Sequence, residues 1–442
     1  MVLAQDALSD PIFWIVYTVW FAGALIYLIQ NIQYSISFFS PATLAFFYLG
    51  GSFALGASQA PQGYVSVYLT TVIGAVEWIP LINSYLLACM TVIVLIAANS
   101  ARRVNEMMAG GITIQPKHNA NVYIVVGCLG LVVLMFVQSP LLFGFRMGLV
   151  ILVLYYATDK SFVLRYALYV AMLMLMLTVS FDNKREIIMC LILICLIEIS
   201  RFAHPFRLNL KTILLGLGGL ALVFVLIVTA SIARGYGSFG TQNALSGIFY
   251  ISAYVSGDFF WAAFLENIEV THTYPAALVS IDMVLEGQLP PLLGSSLLKP
   301  LFLPFPRDIV PFKPISALQH FTLVLDPIFF RKGGSLLIPF PSEMFLNFHM
   351  GGIVVMALVF IVLERIFREI IMAHSTGLTF RAFFAFAVAS LSFILVRGGG
   401  ADLYVMTIVF ASVSYFPVLL LRLGASQRRT VGVQVAQRNI PQ

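Results

Sequence analysis

The sequence predicts an all-α protein that crosses a membrane many times. Three observations carry that expectation. Hydrophobic residues make up 60% of the chain and charged residues 10%, against roughly 25% charged in a soluble domain. The mean hydropathy is +0.96. Apolar runs of about 20 residues, long enough to cross a hydrocarbon core, recur along the chain. They do not alternate apolar and polar as barrel strands do. Backbone groups in lipid must bond within their own segment, so the runs are helices.

In chain order, about eleven spans are expected at the length a bilayer requires. They fall near 11–30, 36–56, 80–98, 120–138, 140–157, 163–181, 186–200, 212–232, 350–372, 379–396 and 402–421. The stretch 62–79, with Glu77 and Trp78, reads as an interfacial helix or a further span. The N-terminus is acidic and lacks a basic n-region, so no cleavable signal is expected. Cys89, Cys128, Cys190 and Cys195 all lie in apolar runs and read as small buried hydrophobes.

Lys and Arg favour cytoplasmic loops. Arg102, Arg103 and Lys117 mark one such loop, Arg201, Arg207 and Lys211 another, and Arg365, Arg368 and Arg381 a third. Arg422, Arg428 and Arg429 place the C-terminus on the same side. The net charge of +6 is therefore mostly topogenic and gives no indication of a nucleic-acid partner. The expected partition is an N-terminal helical part (1–232), a large external loop (233–349), C-terminal helices (350–423) and a cytoplasmic tail (424–442). Within the loop, 247–265 and the amphipathic stretch 275–287 are expected to lie along the membrane surface or to re-enter it. In a bacterium the loop would face the periplasm from the inner membrane.

Residues 303–352 are the most polar and Pro-rich part of the chain. Pro fixes φ and lacks a donor, so this segment is irregular rather than one long helix. Arg307, Lys313, Arg331 and Lys332 lie in it, with Lys299 just upstream. Arg185, Arg234 and Arg397 are expected on the same face. Positive charge there opposes the usual topology bias, and arginine forks suit phosphate. The bland reading is solvated charges, or pairs with Asp258, Asp308, Asp402 and Glu343. Arg146 sits inside an apolar run, where a charge needs a polar cavity or an ion-pair partner. Glu343, Asn347 and Gly351 share one helical face. Glu343 is a candidate general base, or simply a first-turn acid favoured by the helix dipole. His272, His320 and His349 are external, and their spacing is wrong for zinc. No paired-acid, P-loop or metalloprotease motif is present.

PFPRDIVPFKP followed by SEMFLNFHMGG resembles the oligosaccharide repeat-unit polymerases called Wzy. Pro304, Pro306, Arg307, Pro311, Lys313 and Pro314 match the first part of that pattern. Glu343, Asn347, Phe348 and Gly351 match the second. Val310 stands where an aromatic is usual, and His349 where Gly is usual. The motif covers about fifty residues. The resemblance implies a GT-C-like membrane glycosyltransferase, inverting and without metal or other cofactor. Such an enzyme takes an undecaprenyl-pyrophosphate-linked oligosaccharide and extends O-antigen or exopolysaccharide, alongside a flippase and a chain-length regulator. On this reading Arg185, Arg234, Arg307, Lys313, Arg331 and Arg397, with Arg146 and Asn347, bind pyrophosphate or glycan. Glu343 is the first candidate base, with His349 and then His320 in reserve. The alternatives are a glycan ligase using the same donor and, from another class, a transporter of lipid-linked or anionic solutes.

Overall fold

The computed structural model describes residues 11–59, 76–110, 120–135, 142–179, 184–201, 205–207, 209–210, 249–257, 260, 270–302, 305 and 308–420, with scattered positions inside 214–232. Among these residues the chain is helical throughout and forms no strand. Five helical stretches are long and apolar enough to cross a membrane: Ile12–Asn31, Ile79–Ala109, Phe340–Thr376, Phe380–Arg397 and Ala401–Leu420. Ala120–Leu134, Leu142–Ala157 and Phe162–Met176 are shorter apolar helices. The protein is an all-α, multi-pass membrane protein. The expected span at 212–232 and the stretch 62–79, read as an interfacial helix or a further span, fall mostly outside the described residues.

Helix α1 (Pro11–Asn31) opens on a proline, whose missing N–H costs nothing in a first turn. The expected span 36–56 is not one helix. It runs as a 3-10 turn (Ser35–Phe39), α2 (Pro41–Ala45), a π-helical stretch (Phe46–Gly50) and α3 (Gly51–Gln59). Ser40 caps α2 by accepting from the Thr43 N–H, and Pro41 follows it. Helix α4 (Ile79–Ala109) is a 31-residue post with one long buried face. Then come α5 (Ala120–Met135), α6 (Leu142–Ala157), α7 (Phe162–Val179), α8 (Lys184–Ser200) and the short α9 (Ile251–Val255).

The stretch 275–287, expected to lie along the membrane surface or to re-enter it, falls largely in helix α10 (Val270–Leu285), which is not a surface helix of the bundle. Every residue from Thr273 to Val284 is buried, whereas a helix lying on a surface keeps one face exposed. It runs into the bundle between α3, α4 and α14 (Phe340–Phe348). Ala276, Ala277 and Ser280 leave room for that close packing. Polar contacts hold it there: Tyr17 and Tyr274 donate to Asn83 Oδ1 at 2.9 and 3.0 Å. Asp282 Oδ1 accepts the Glu77 and Trp78 N–H groups, both at 3.0 Å, just before α4 begins.

The rest of the chain forms α11 (Ser295–Phe302), α12 (Ala317–Leu325), α13 (Pro327–Arg331), α14, α15 (Gly352–Phe367), α16 (Glu369–Thr376), α17 (Phe380–Arg397) and α18 (Ala401–Val413). Helices α6 and α18 approach closely. Gly144 and Gly148, one turn apart on α6, face α18, and a Cβ on either would lie 2.5 Å from the Thr407 or Ala411 carbonyl oxygen. Small residues at this spacing let helix backbones meet where lipid supplies no hydrophobic drive. Helices α4 and α15 run side by side: Gly352 begins α15 near Tyr85, and Arg103 and Arg368 line one groove at the other end. The basic clusters around 102–103 and 365–368 therefore share one end of the bundle, and the Pro-rich segment lies toward the opposite end.

Candidate functional site

At the Pro-rich end, α11, α12, α14 and the α17–α18 turn converge. The turn is Arg397-Gly-Gly-Gly-Ala401. Gly398 ends α17 with φ 93° and Gly400 has φ 91°, values that only glycine adopts cheaply. A Cβ on Gly398 would also fall on the Ile338 carbonyl, so the turn is pressed against the strand of chain entering α14.

Glu343 lies in the first turn of α14 and is 1% exposed. One carboxylate oxygen, Oε2, accepts the Ala401 N–H at 3.0 Å. The other faces the Ser296 hydroxyl at 3.5 Å. Asn347, one turn on, donates to Ser296 Oγ at 2.9 Å and to the Glu343 carbonyl at 2.8 Å. This contact places Glu343 and Asn347 on one face, as their spacing predicts. Beside them Lys299 Nζ pairs with Asp402 Oδ2 at 2.8 Å and donates to Gln319 Oε1 at 3.2 Å. Gln319 in turn completes a capping box with Ser316 at the start of α12. The Glu343 carboxylate thus fastens three elements together and has no exposed face.

His349 stands next to this knot and is different in kind. It is exposed and ends α14 with φ 52° and ψ −135°. A non-glycine residue at positive φ carries about 1–3 kcal/mol of backbone strain. That conformation is one glycine takes freely. His320 is half-buried, with Nε2 2.9 Å from the Pro290 carbonyl, which makes Nε2 the protonated nitrogen. His272 makes the same kind of bond to the Leu337 carbonyl at 2.8 Å.

The expected cations do not all meet at one point. Arg397 is half-buried in the last turn of α17, beside the knot. Lys313 is half-buried and donates to the Phe305 carbonyl at 3.3 Å. Arg331 is exposed at the end of α13. Arg146 is buried in α6 and pairs with Glu186 of α8 at 3.5 Å, the ion pair weighed as one of its two readings. Arg234, Arg307 and the Arg185 side chain lie outside the described residues. Among the described residues, no group of three His, Cys, Asp or Glu side chains gathers as metal ligands would.

Ser296 and Gln319 are the site residues that sequence reading passed over. Neither has a signal of its own, because a single Ser or Gln becomes informative only when burial and partners are known. Compared with known proteins, the chain matches no family model, no curated protein and no solved structure. A functional reading therefore rests on residues and geometry.

Proposed function

We propose that the protein is a membrane glycosyltransferase that polymerises undecaprenyl-pyrophosphate-linked oligosaccharide repeat units at the outer face of a bacterial inner membrane. The observation that carries this reading is the joint in which Glu343 and the Lys299–Asp402 pair tie the Pro-rich segment to the Arg397 turn. It holds a cationic, conformationally constrained loop against the ends of membrane helices, where a lipid pyrophosphate would lie.

In the reaction, an acceptor hydroxyl oxygen attacks the anomeric carbon of the donor. The bond from that carbon to pyrophosphate oxygen breaks, and the lipid pyrophosphate leaves with the electron pair. The hydroxyl proton passes to a base, and attack opposite the leaving group inverts the centre. Arg397, Lys313 and Arg331, with Arg307, Arg234 and Arg185, are assigned to the charge that develops on pyrophosphate. Because Glu343 is fully engaged, it is assigned as a positioning residue for the turn. The exposed imidazole of His349 is assigned as the base, with His320 behind it.

Polymer length is the measurement, in cells whose own polymerase is deleted. Arg307→Ala and Arg397→Ala should collapse long chains to single repeats at normal protein level. Normal polymer from both variants would remove the pyrophosphate assignment. A transporter reading draws on one observation, the broken Ser35–Gln59 segment with its π-helical stretch. Purified protein in detergent that lengthens a lipid-linked glycan excludes it, and the same assay with a lipid A–core acceptor separates polymerase from ligase.

A further inference from the structure

At the end of the bundle away from the knot, a groove of about 400 Å³ runs between α4 and α15. Its walls are apolar along the helices, with Leu95 and Ile361 both more than half exposed. Asn99, Arg103 and Arg368 line its polar end. Arg365 lies close by, near enough, like Arg103, for its charge to repel that of Arg368.

Three guanidinium groups held together are costly unless something negative offsets them. The acids nearby do not neutralise the cluster. Glu364 lines the groove but is 4% exposed, and its carboxylate accepts the Ala42 N–H at 2.6 Å and the Ser100 hydroxyl. Glu364 attracts Arg368 from inside the bundle and Glu369 from the exposed start of α16. Neither is within ion-pair distance, and Arg103, Arg365 and Arg368 form no ion pair with another described residue.

We propose that this groove is a site for an anionic phospholipid, whose phosphate sits between Arg103 and Arg368 and whose acyl chain lies along Leu95 and Ile361. Both halves of the ligand are matched by the groove. A free phosphate would leave the apolar walls unused, and a zwitterionic lipid would leave the arginine charge unbalanced. Basic residues at the end of membrane helices that gathers Lys and Arg face the leaflet rich in anionic lipid. The inference stands independently of the reaction proposed above, because it concerns the opposite end of the bundle.

The test is native mass spectrometry of the purified full chain. The protein is delipidated in detergent and exposed to equal amounts of phosphatidylglycerol and phosphatidylcholine with the same acyl chains. Wild type should retain phosphatidylglycerol over phosphatidylcholine by on the order of thirtyfold, the preference two basic residues near a surface confer. Arg103→Ala/Arg368→Ala should bring the ratio near one. Ile361→Trp, an exposed position that tolerates a large side chain, should reduce retention with both arginines present. If the double alanine variant does not fold, Arg103→Lys/Arg368→Lys, which should keep most of the preference, and Ile361→Trp decide the matter. Equal retention of the two lipids by wild type overturns the proposal, as does unchanged retention in Ile361→Trp. Displacement of the bound lipid by millimolar inorganic phosphate would reassign the groove to a free anion and also overturn it.

Discussion

Two buried glutamates lie near the start of α14 and the end of α15, and they use the same device in different surroundings. Glu343 accepts one backbone N–H, from Ala401, and faces one serine, Ser296. Glu364 likewise accepts a backbone N–H, from Ala42, and serine hydroxyls, from Ser100 and Ser40. Each carboxylate joins its helix to two other elements, which in a membrane replaces part of the cohesion water would otherwise drive. The difference lies in the cations beside them. Near Glu343 the cation Lys299 is neutralised by Asp402 at 2.8 Å. Near Glu364, Arg103 and Arg368 line a groove and form no ion pair with another described residue. A buried carboxylate is thus a fastening at both ends. The strained, exposed His349 stands beside the first, and Arg103 and Arg368 beside the second.

The comparison can be broken most severely at the turn that Glu343 holds. Gly398→Ala meets both a positive φ and the Ile338 carbonyl, and should cost about 4 kcal/mol or prevent accumulation of the protein. Thermal unfolding in detergent reads this, and an unchanged midpoint would mean that the turn is not packed as described. Next come the glutamates themselves. Glu343→Ala and Glu364→Ala should each cost about 3 kcal/mol, because each leaves buried donors unsatisfied. Glu343→Gln should cost only about 1 kcal/mol, since an amide still accepts the Ala401 N–H. It should also preserve polymer, whereas full loss of polymer from a stable Glu343→Gln protein would return the role of base to the carboxylate.

A smaller effect sharpens the contrast in cations. Asp402→Asn strands the largely buried Lys299 and should cost about 2 kcal/mol. Combining it with Lys299→Met should recover most of that loss, and a double-mutant cycle measures the coupling. The smallest change is His349→Gly, which relieves the positive φ and should raise stability by about 1 kcal/mol. If the imidazole is the base, the same variant loses polymer while gaining stability, a combination that a purely structural histidine would not produce.

Much of the scaffold was legible in the chain because lipid leaves few choices. A run of apolar residues in a bilayer must close its own hydrogen bonds, so length and hydropathy set α1 and α17 to within a few residues, and the starts of α4 and α18, whose ends fall elsewhere. Charge asymmetry also brought Arg103 and Arg368 to one end, as the loop counting implied. Hydropathy is blind to how helices break, however. The interruption of Ser35–Gln59 and the end of α14 at His349 are backbone events set by packing, and the residues there are ordinary in composition. It is equally blind to what covers an amphipathic stretch. Residues 275–287 have a polar face suited to a membrane surface, yet Asn83, Glu77 and Trp78 supply partners from elsewhere in the chain and draw the helix inside.

The sequence by itself determined that this is a helical membrane protein, roughly where its helices lie, and which residue types crowd its irregular segment. Those properties follow from local composition, which each segment carries wherever it folds. Only the tertiary structure decided that Glu343 is occupied by Ala401, that Arg146 is paired with Glu186 and that Arg103 and Arg368 open on a groove. Each of these is a contact between residues distant along the chain. Whether a charge is spent or available depends on the partner that folding brings to it.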